Sequence, residues 1–228
     1  MAPAKLAASI LSADFAHLAD QVRLVEKHAD IVHVDVMDAH FVPPLTIGPV
    51  VVASLRPVTD LPLHAHLMIE RPEALFDDFA NAGTDIVTFH VEAADDPAAL
   101  VASARDRGMR AGIAVNPQTE VDAVYPFLED LDNVIVMTLA QTGFAGQPFQ
   151  DSSLRKVETI RGEIDRRGLA VDVVVDGGIN EESGRRCIAA GATVLAAASS
   201  IFKAPDPAEA ARRLAEVARV EERKEEQR

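Results

Sequence analysis

Eight short apolar runs recur along this chain of 228 residues. Each run is rich in Val, Ile, Leu or Ala and has the length of a buried β-strand. The runs begin near Leu6, Ile31, Leu63, Ile86, Ala111, Val134, Val171 and Val194. Every interval between them has room for a strand, a helix and two turns. This alternation predicts an α/β architecture built on a parallel sheet.

Proline and glycine mark helix boundaries between the runs. Pro72 and Pro97 stand where helices would open, and Gly83 and Gly108 stand where those helices would end. This placement follows the usual asymmetry of the two residues. Further boundaries are predicted at Ser152 or Ser153, Gly168, Asn180, Gly191, Asp206 and Pro207. A first helix is predicted from an apolar stripe of Phe15, Leu18, Val22 and Val25.

The number of strands selects the fold. Eight strands alternating with helices in this length predict a (β/α)8 TIM barrel. An open doubly wound sheet is the alternative, but it would more often have five or six strands. No Pro-, Gly- or Ser-rich linker divides the sequence. We therefore expect a single domain over residues 1–228, with a charged helical tail at about 218–228.

Charge and cysteine usage narrow the function classes. The formal net charge is −14, and no basic stretch compensates for it, which argues against a nucleic-acid or anionic-membrane partner. The N-terminus lacks the apolar run of a secretory signal. No segment approaches the roughly 18 apolar residues of a membrane span. The single Cys187 precludes an intrachain disulfide and suits a reducing cytoplasm.

Four polar residues interrupt three of the strand runs. His33 and Asp35 lie in IVHVDVMD, His66 lies in LHAHLMI, and Asp176 ends VVVD. Barrel enzymes gather their catalytic groups at the carboxyl ends of the strands, so we expect these side chains to converge, with Ser9 on the same rim. Imidazole plus carboxylate favours Zn, Fe, Co or Mn over Mg or Ca. An unpaired buried Asp would be costly, and a shared cation removes that cost.

Two further histidines lie near this group. His64 faces the same way as His66 and should lie deeper in the barrel, because it comes two residues earlier on the same strand. His90 in VTFHVEA has either a packing role or a supporting role beside the site.

Small residues follow the last three strands. TGFAGQ follows strand 6, DGGIN follows strand 7, and AASS follows strand 8. Backbone N–H groups in such loops bind anions, and barrels commonly hold phosphate after strands 7 and 8. The glycine-bounded loop after strand 6 also has the composition of a flap over the substrate.

At these residues the chain resembles the ribulose-phosphate 3-epimerase family. The motifs are SILSADFAHL, HVDVMDAHFVPPLTIGP, HLMIERPE, VTFHVEA and VVVDGGIN. The resemblance extends from about Leu6 to Pro207. It implies a barrel of the ribulose-phosphate-binding type and epimerisation at C3 of D-ribulose 5-phosphate to D-xylulose 5-phosphate.

The resemblance also implies a role for each matching residue. The metal ligands would be His33, Asp35, His66 and Asp176. Asp35 and Asp176 would also be the acid/base pair that transfers protons through an enediolate. The sulfur-lined cap over the intermediate would be Met37, Met68 and Met137. The substrate contacts would be Ser9, His66, Gly143, Phe144, Ala145, Gly146, Asp176, Gly177, Gly178, Ala198 and Ser199.

The same resemblance implies the cofactor and the setting. It implies one divalent metal per subunit (Zn, Fe, Co or Mn) and a ketose phosphate substrate. It also implies a cytoplasmic homo-oligomer, a dimer or a hexamer, in the pentose phosphate pathway.

The sequence departs from the family pattern around the substrate. Ala39 and Pro44 replace a usual Gly and Asn. The strand-6 loop reads AQTGFAGQ instead of NPGFGGQ, with Ala145 for Gly and one extra residue before Gly143. Ala198 replaces a Gly after strand 8. A methyl group at Ala145 or Ala198 restricts φ and crowds a phosphate. A 3-epimerase of a related ketose phosphate, such as D-allulose 6-phosphate or a tetrulose phosphate, is therefore an alternative.

Two other functions are open to a phosphate-binding barrel. A hexulose-phosphate synthase or a decarboxylase could use the same fold, but those enzymes generally lack this set of two His and two Asp. A catalytically silent binding protein is the other possibility, and the presence of all four candidate ligands argues against it.

Overall fold

The computed structural model describes residues 3–219. Within them eight parallel strands close into a barrel, in which each strand pairs with the next along the chain and the last pairs with the first. The strands are Lys5–Ser9 (β1), Ile31–Met37 (β2), Leu63–Met68 (β3), Ile86–His90 (β4), Arg110–Val115 (β5), Asn133–Met137 (β6), Asp172–Asp176 (β7) and Val194–Ala197 (β8). Each begins within one residue of its predicted position. The (β/α)8 barrel is confirmed, and closure of the sheet excludes the open alternative.

Helical segments follow the strands around the outside of the barrel. The α-helices are Leu18–Val25 (α1), Pro49–Leu55 (α2), Phe76–Asn81 (α3), Pro97–Asp106 (α4), Ser153–Arg167 (α5), Glu181–Ala189 (α6), Ser199–Phe202 (α7) and Pro207–Arg219 (α8). Shorter 3₁₀ segments are Ile10–Ser12, Phe15–His17, Pro72–Leu75 and Val91–Ala93. Between β5 and β6 the chain forms a 3₁₀ segment over Val121–Asp130. Pro126 inside it has no N–H to donate to an α-helical ladder.

The predicted helix boundaries are largely observed. Asn180 caps α6 through its side chain, and Ser183 completes a reciprocal capping box. Gly168 ends α5 at φ 68°, in the left-handed region that glycine tolerates. One expectation was wrong: Phe15 does not belong to the buried stripe. It lies in a 3₁₀ turn before α1 with 45% of its surface exposed.

Strand alternation separates two apolar layers. On β2, Val32, Val34 and Val36 face outward and join the core shared with the helices. Ile31 faces inward and joins the packed barrel interior. Burying each valine side chain contributes roughly 1.5–3 kcal/mol. Because the apolar outward positions fix the register of β2, they also force its alternate positions, His33 and Asp35, into the interior.

Two further expectations concern the ends of the chain and the membrane. The predicted tail at about 218–228 falls outside the described residues except for its first two, which end α8. Among residues 3–219, no helix combines the length and apolarity needed to cross a membrane.

Candidate metal centre and active site

The four polar strand residues converge inside the barrel. His33 Nε2 lies 3.3 Å from Asp35 Oδ1 and 3.7 Å from Asp176 Oδ2. His66 Nδ1 lies 3.3 Å from Asp35 Oδ1 and 3.2 Å from Asp176 Oδ2. One ligand atom from each residue lies within 4.8 Å of all the others. The structure therefore brings together all four residues that the sequence singled out.

Strand register explains how residues distant in sequence meet. Parallel pairing of β2 with β3 sets Asp35 beside His66, and Met37 beside Met68. Asp176, the last residue of β7, reaches the same point from the other side of the ring. Inward-pointing residues of a small barrel meet at its axis, so three strands suffice to build the cluster.

Buried charge dominates the electrostatics of the cluster. Burial by itself would raise the pKa of Asp35, but the charge of His33 and the contacts with His33 and His66 outweigh it and hold that pKa below its ordinary value. Burial and the charge of Asp35 oppose ionisation of Asp176, yet the two imidazoles also keep the pKa of Asp176 low.

The imidazoles respond in the opposite direction. Burial would lower the pKa of His33, but the charges of Asp35 and Asp176 overcome it and raise the pKa to about 10. The same two carboxylates raise the pKa of His66 against the effect of burial. Without a bound cation, the surroundings of the cluster therefore favour the charged form of both the imidazoles and the carboxyls.

The donor set fits a small divalent ion. Both ring nitrogens of His33 are buried and have no hydrogen-bond partner among the described residues, although buried polar atoms are normally paired. A tetrahedral ion with bonds of about 2.0–2.2 Å needs ligand atoms about 3.3–3.6 Å apart. The His–Asp distances of 3.2–3.7 Å match that spacing. Two imidazoles and two carboxylates are ligands typical of Zn, Fe, Co or Mn.

A cavity of ≈480 Å³, which includes space open to solvent, lies beside the cluster. Asp35 and Asp176 reach it, and Ser9 lines it as well. Ser9 Oγ donates a 2.5 Å hydrogen bond to Asp35 Oδ2, so this side chain contacts a catalytic candidate directly. The methionines of the predicted cap, Met37, Met68 and Met137, all line the cavity. Met37 and Met68 pack together and Met137 belongs to a separate apolar cluster, and all three give the cavity polarizable surface.

The predicted phosphate loops line the same cavity. The substrate contacts that reach it are Ser9, Gly143, Phe144, Ala145, Gly146, Asp176, Gly177, Gly178, Ala198 and Ser199. His66 does not line the cavity and belongs to the cluster beneath it. Gly178 has φ 67°, and a Cβ there would lie 2.6 Å from the backbone N of Phe149. Only glycine allows that close approach between the loops after β7 and β6.

Of the three alanines that depart from the family pattern, one has a backbone conformation that favours glycine. Ala39 has φ 60°, whereas neither Ala145 nor Ala198 has a positive φ. The left-handed conformation costs an L-residue roughly 1–2 kcal/mol. The Ala39 N–H donates to Pro44 O at 3.0 Å, so a backbone hydrogen bond joins the two departures in this loop.

His64 and His90, the two further histidines near the cluster, both lie inside the barrel. His64 lies deeper and contacts Thr88 Oγ1 at 2.8 Å, and burial keeps its pKa well below the ordinary value. His90 lies 3.0 Å from His66, Nε2 to Nε2. Burial lowers the pKa of His90 to about 4.

Three residues near the site were not identified from the sequence. Glu92 lies 3.3 Å from His90 Nδ1. The Phe41 ring packs on His90 at 4.9 Å. A Cβ on Gly143 would lie 2.8 Å from Val42. Glu92 lies in the 3₁₀ segment Val91–Ala93, after the end of β4, so the two-residue alternation of a strand gave no signal for its position.

The fold and site define an enzyme of the (β/α)8-barrel class with a buried His/Asp centre. The sequence profile of the ribulose-phosphate 3-epimerase family matches residues 5–202. The chain belongs to that family and is an isomerase of the epimerase class. Ribulose-phosphate 3-epimerase of Bacillus subtilis is 44% identical over 204 residues, covering 89% of this chain and 94% of the relative. Ribulose-5-phosphate-3-epimerase of Arabidopsis thaliana, a chloroplastic protein, is 44% identical over 205 residues, covering 89% and 73%.

Solved structures of other proteins share the architecture. KGPDC of Streptococcus mutans superposes with a TM-score of 0.75 at 18% identity, covering 94% of this chain and 97% of that one. A 3-hexulose-6-phosphate synthase has a TM-score of 0.71 at 21% identity, covering 93% and 99%. At such identities the likeness shows the fold alone.

Proposed function

We propose that this protein is a metal-dependent 3-epimerase that interconverts D-ribulose 5-phosphate and D-xylulose 5-phosphate. One observation carries the proposal. Asp35 and Asp176 reach one cavity from strands on different sides of the barrel, and both contact the same two imidazoles. The name shared by the relatives supports the choice of substrate.

Inversion at a carbon needs one proton carrier on each face. The Asp35 carboxylate takes the C3 proton, and the electron pair of the broken C–H bond forms the enediolate. Asp176, which enters this direction of the reaction in its protonated form, then gives that proton to C3 from the opposite face. In the reverse direction the two residues exchange roles. Because both carboxyls share two imidazoles, their protonation states are coupled, as a matched acid and base require.

We propose His33, Asp35, His66 and Asp176 as the ligands of one divalent metal per subunit. The ion would supply Lewis-acid stabilisation of the negative charge that develops on the substrate oxygens. The cap of Met37, Met68 and Met137 would exclude water from the intermediate, since thioethers offer no competing base.

The phosphate would be held by backbone groups. No lysine or arginine lines this cavity within residues 3–219. The loops at Gly143–Gly146, Gly177–Gly178 and Ala198–Ser199 also line the cavity, and their N–H groups would replace cationic side chains. Ser9 would contact the sugar and also hold Asp35, whereas the substrate contact expected of His66 does not fit its position beneath the cavity.

A related ketose phosphate is the second candidate substrate. Ala145 and Ala198 line the cavity, so two of the residues that depart from the family pattern would lie beside the substrate. D-Allulose 6-phosphate or a tetrulose phosphate would undergo the same proton transfer. The loops that line the cavity, and not the metal centre, would determine which ketose phosphate is the preferred substrate.

We also propose that the whole chain is one domain, that it forms a homo-oligomer (a dimer or a hexamer), and that it works in the cytoplasm. The one cysteine is buried and suits a reducing compartment. Sedimentation of the purified protein measures the oligomer.

Turnover across a panel of ketose phosphates tests the function. Enzyme stripped by a chelator and enzyme reconstituted with Zn, Fe, Co or Mn are assayed with ribulose 5-phosphate, allulose 6-phosphate and a tetrulose phosphate. We expect the highest kcat/KM with ribulose 5-phosphate and loss of activity on stripping. Full activity of a metal-free preparation would contradict the metal centre. Preference for another sugar would contradict the substrate alone.

A further inference from the structure

The two candidate histidine ligands differ in what supports them. His33 has no hydrogen-bond partner for either ring nitrogen among the described residues. His66 has a partner outside the four candidate ligands, because its Nε2 lies 3.0 Å from Nε2 of His90 and the two rings stack at 5.1 Å. His90 Nδ1 in turn lies 3.3 Å from Glu92 Oε2. The second carboxylate oxygen, Oε1, accepts the backbone N–H of Asn116 at 2.9 Å.

The donor and the acceptor in each of these hydrogen bonds follow from which groups can donate a proton. An ionised carboxylate only accepts, so the proton between Glu92 and His90 belongs to His90 Nδ1. A neutral, fully buried His90 then has a bare Nε2, which can only accept. His66 Nε2 must therefore carry the proton that it shares with His90. Once His66 gives up its other proton to bind a metal, its lone pair is therefore on Nδ1, the nitrogen that faces Asp35 and Asp176.

We propose that His90 and Glu92 are positioning residues that fix the tautomer and ring orientation of His66, and so make Nδ1 its metal-binding nitrogen. This inference rests on the proposed metal centre. Metal-bound histidines normally donate their other N–H to an acceptor that orients the ring. Here the acceptor is a second imidazole backed by a carboxylate.

The surroundings hold this chain of groups in place. Phe41, from the loop after β2, packs on the His90 ring. Asn116 Oδ1 accepts a 2.6 Å hydrogen bond from Thr142 Oγ1, directly before Gly143. The same connected groups therefore extend from His66 to the loop after β6. No such chain supports His33 within the described residues, so the positioning acts on one ligand of the pair.

The substitution Glu92→Gln should reverse the donor and acceptor roles in the hydrogen bonds from residue 92 through His90 to His66, while it keeps the size and shape of the side chain. The N–H of Asn116 needs an acceptor at the position of Oε1, so the Gln amide oxygen stays there and the NH₂ group faces His90. His90 Nδ1 must then accept, and Nε2 becomes the donor toward His66. This forces the proton of His66 onto Nδ1 and removes its lone pair from the metal. Glu120→Gln is the control, because it removes the same charge at an exposed position of the neighbouring loop.

The primary readout is the affinity of the chelator-stripped protein for Co²⁺, titrated through its visible absorption. We expect Glu92→Gln to weaken binding by about 10- to 100-fold, with an altered band shape, and Glu120→Gln to change it less than about twofold. Imidazole ¹⁵N shifts of the Zn²⁺-loaded wild type should show His66 protonated at Nε2. Thermal unfolding of the metal-free proteins checks that each variant is folded.

The substitution His90→Phe tests independently whether His90 positions the His66 ring. It keeps a ring between Phe41 and His66 but removes the acceptor, so we expect weaker Co²⁺ binding. Glu92→Gln added to His90→Phe should then change the affinity less than about twofold, because Glu92 acts through His90. A full additional loss in the double variant would overturn the inference. So would an unchanged affinity in folded Glu92→Gln, or a His66 protonated at Nδ1. A wild type that binds no Co²⁺ would instead overturn the metal centre itself.

Discussion

Asp35 lies directly beside His66 in the register of β2 and β3, and its Oδ1 is 3.3 Å from His66 Nδ1. The other oxygen of Asp35 accepts the hydroxyl of Ser9. The carboxylate is thus fixed at both oxygens while it faces the cavity. A proton carrier held in this way can approach a substrate carbon from one face only.

The metal-free centre should release protons when it binds a metal. At pH 7 His33 is protonated, because its pKa is about 10, and the pKa of His66 is also raised. The metal must displace these protons, so affinity should increase by about tenfold per pH unit for each proton displaced. Calorimetric titration with Zn²⁺ between pH 6 and 9, in buffers of different ionisation enthalpy, measures both quantities. Affinity independent of pH would contradict the charge state described here.

The same shift makes the stability of the metal-free protein depend on pH. A histidine whose pKa is raised from about 6.5 to about 10 by folding stabilises the protein fully below the lower value. That contribution is lost as pH rises through the higher one. The free energy of unfolding should therefore fall between pH 7 and pH 10, as measured by urea unfolding. His33→Asn should flatten this dependence, and an equal slope in the variant would assign it to other groups.

Ala39→Gly should stabilise the protein by about 0.5–1 kcal/mol. Glycine relieves the cost of the left-handed conformation, about 1–2 kcal/mol, and gives back about 0.4–1 kcal/mol through the unfolded chain. Urea unfolding of the metal-free protein measures the difference. Ala145→Gly is the matched control. Its φ is not positive, so the same change should be destabilising, and an equal sign in both variants would be inconsistent with strain at Ala39.

Gly143→Ala should impair substrate binding more than Gly146→Ala. Both glycines have positive φ, but a Cβ at Gly143 would lie 2.8 Å from Val42, whereas none would meet an atom within 4 Å at Gly146. The first change must move the loop after β6 away from the loop after β2. We expect KM for ribulose 5-phosphate to rise about tenfold or more in Gly143→Ala and clearly less in Gly146→Ala. Equal KM values would show that the contact between the loops does not matter.

Structural features that depend on periodic sequence patterns were predictable from the sequence. Strand alternation and apolar spacing gave the barrel, the inward direction of His33 and Asp35, and the greater depth of His64. The position of Glu92 could not be predicted in this way. Its distance to His90 depends on the 3₁₀ turn Val91–Ala93, which has no periodic sequence pattern. The strain at Ala39 likewise depends on a loop bridge between Asp38 and Leu45. Phe15 was wrongly assigned to the buried stripe of α1, because it precedes that helix in a 3₁₀ turn and helical spacing does not apply there.

Exchange of the C3 hydrogen with D₂O in single-aspartate variants tests the central claim most directly. Asp35→Asn and Asp176→Asn are each loaded with metal, their metal content is verified, and they are incubated with both sugars. Removing one carrier should lower epimerisation by about 10²–10⁴-fold or more. Asp176→Asn should still introduce deuterium into ribulose 5-phosphate, and Asp35→Asn into xylulose 5-phosphate, each without inversion. Epimerisation at the wild-type rate in either variant, or exchange of the same sugar by both, would contradict two aspartates acting on opposite faces.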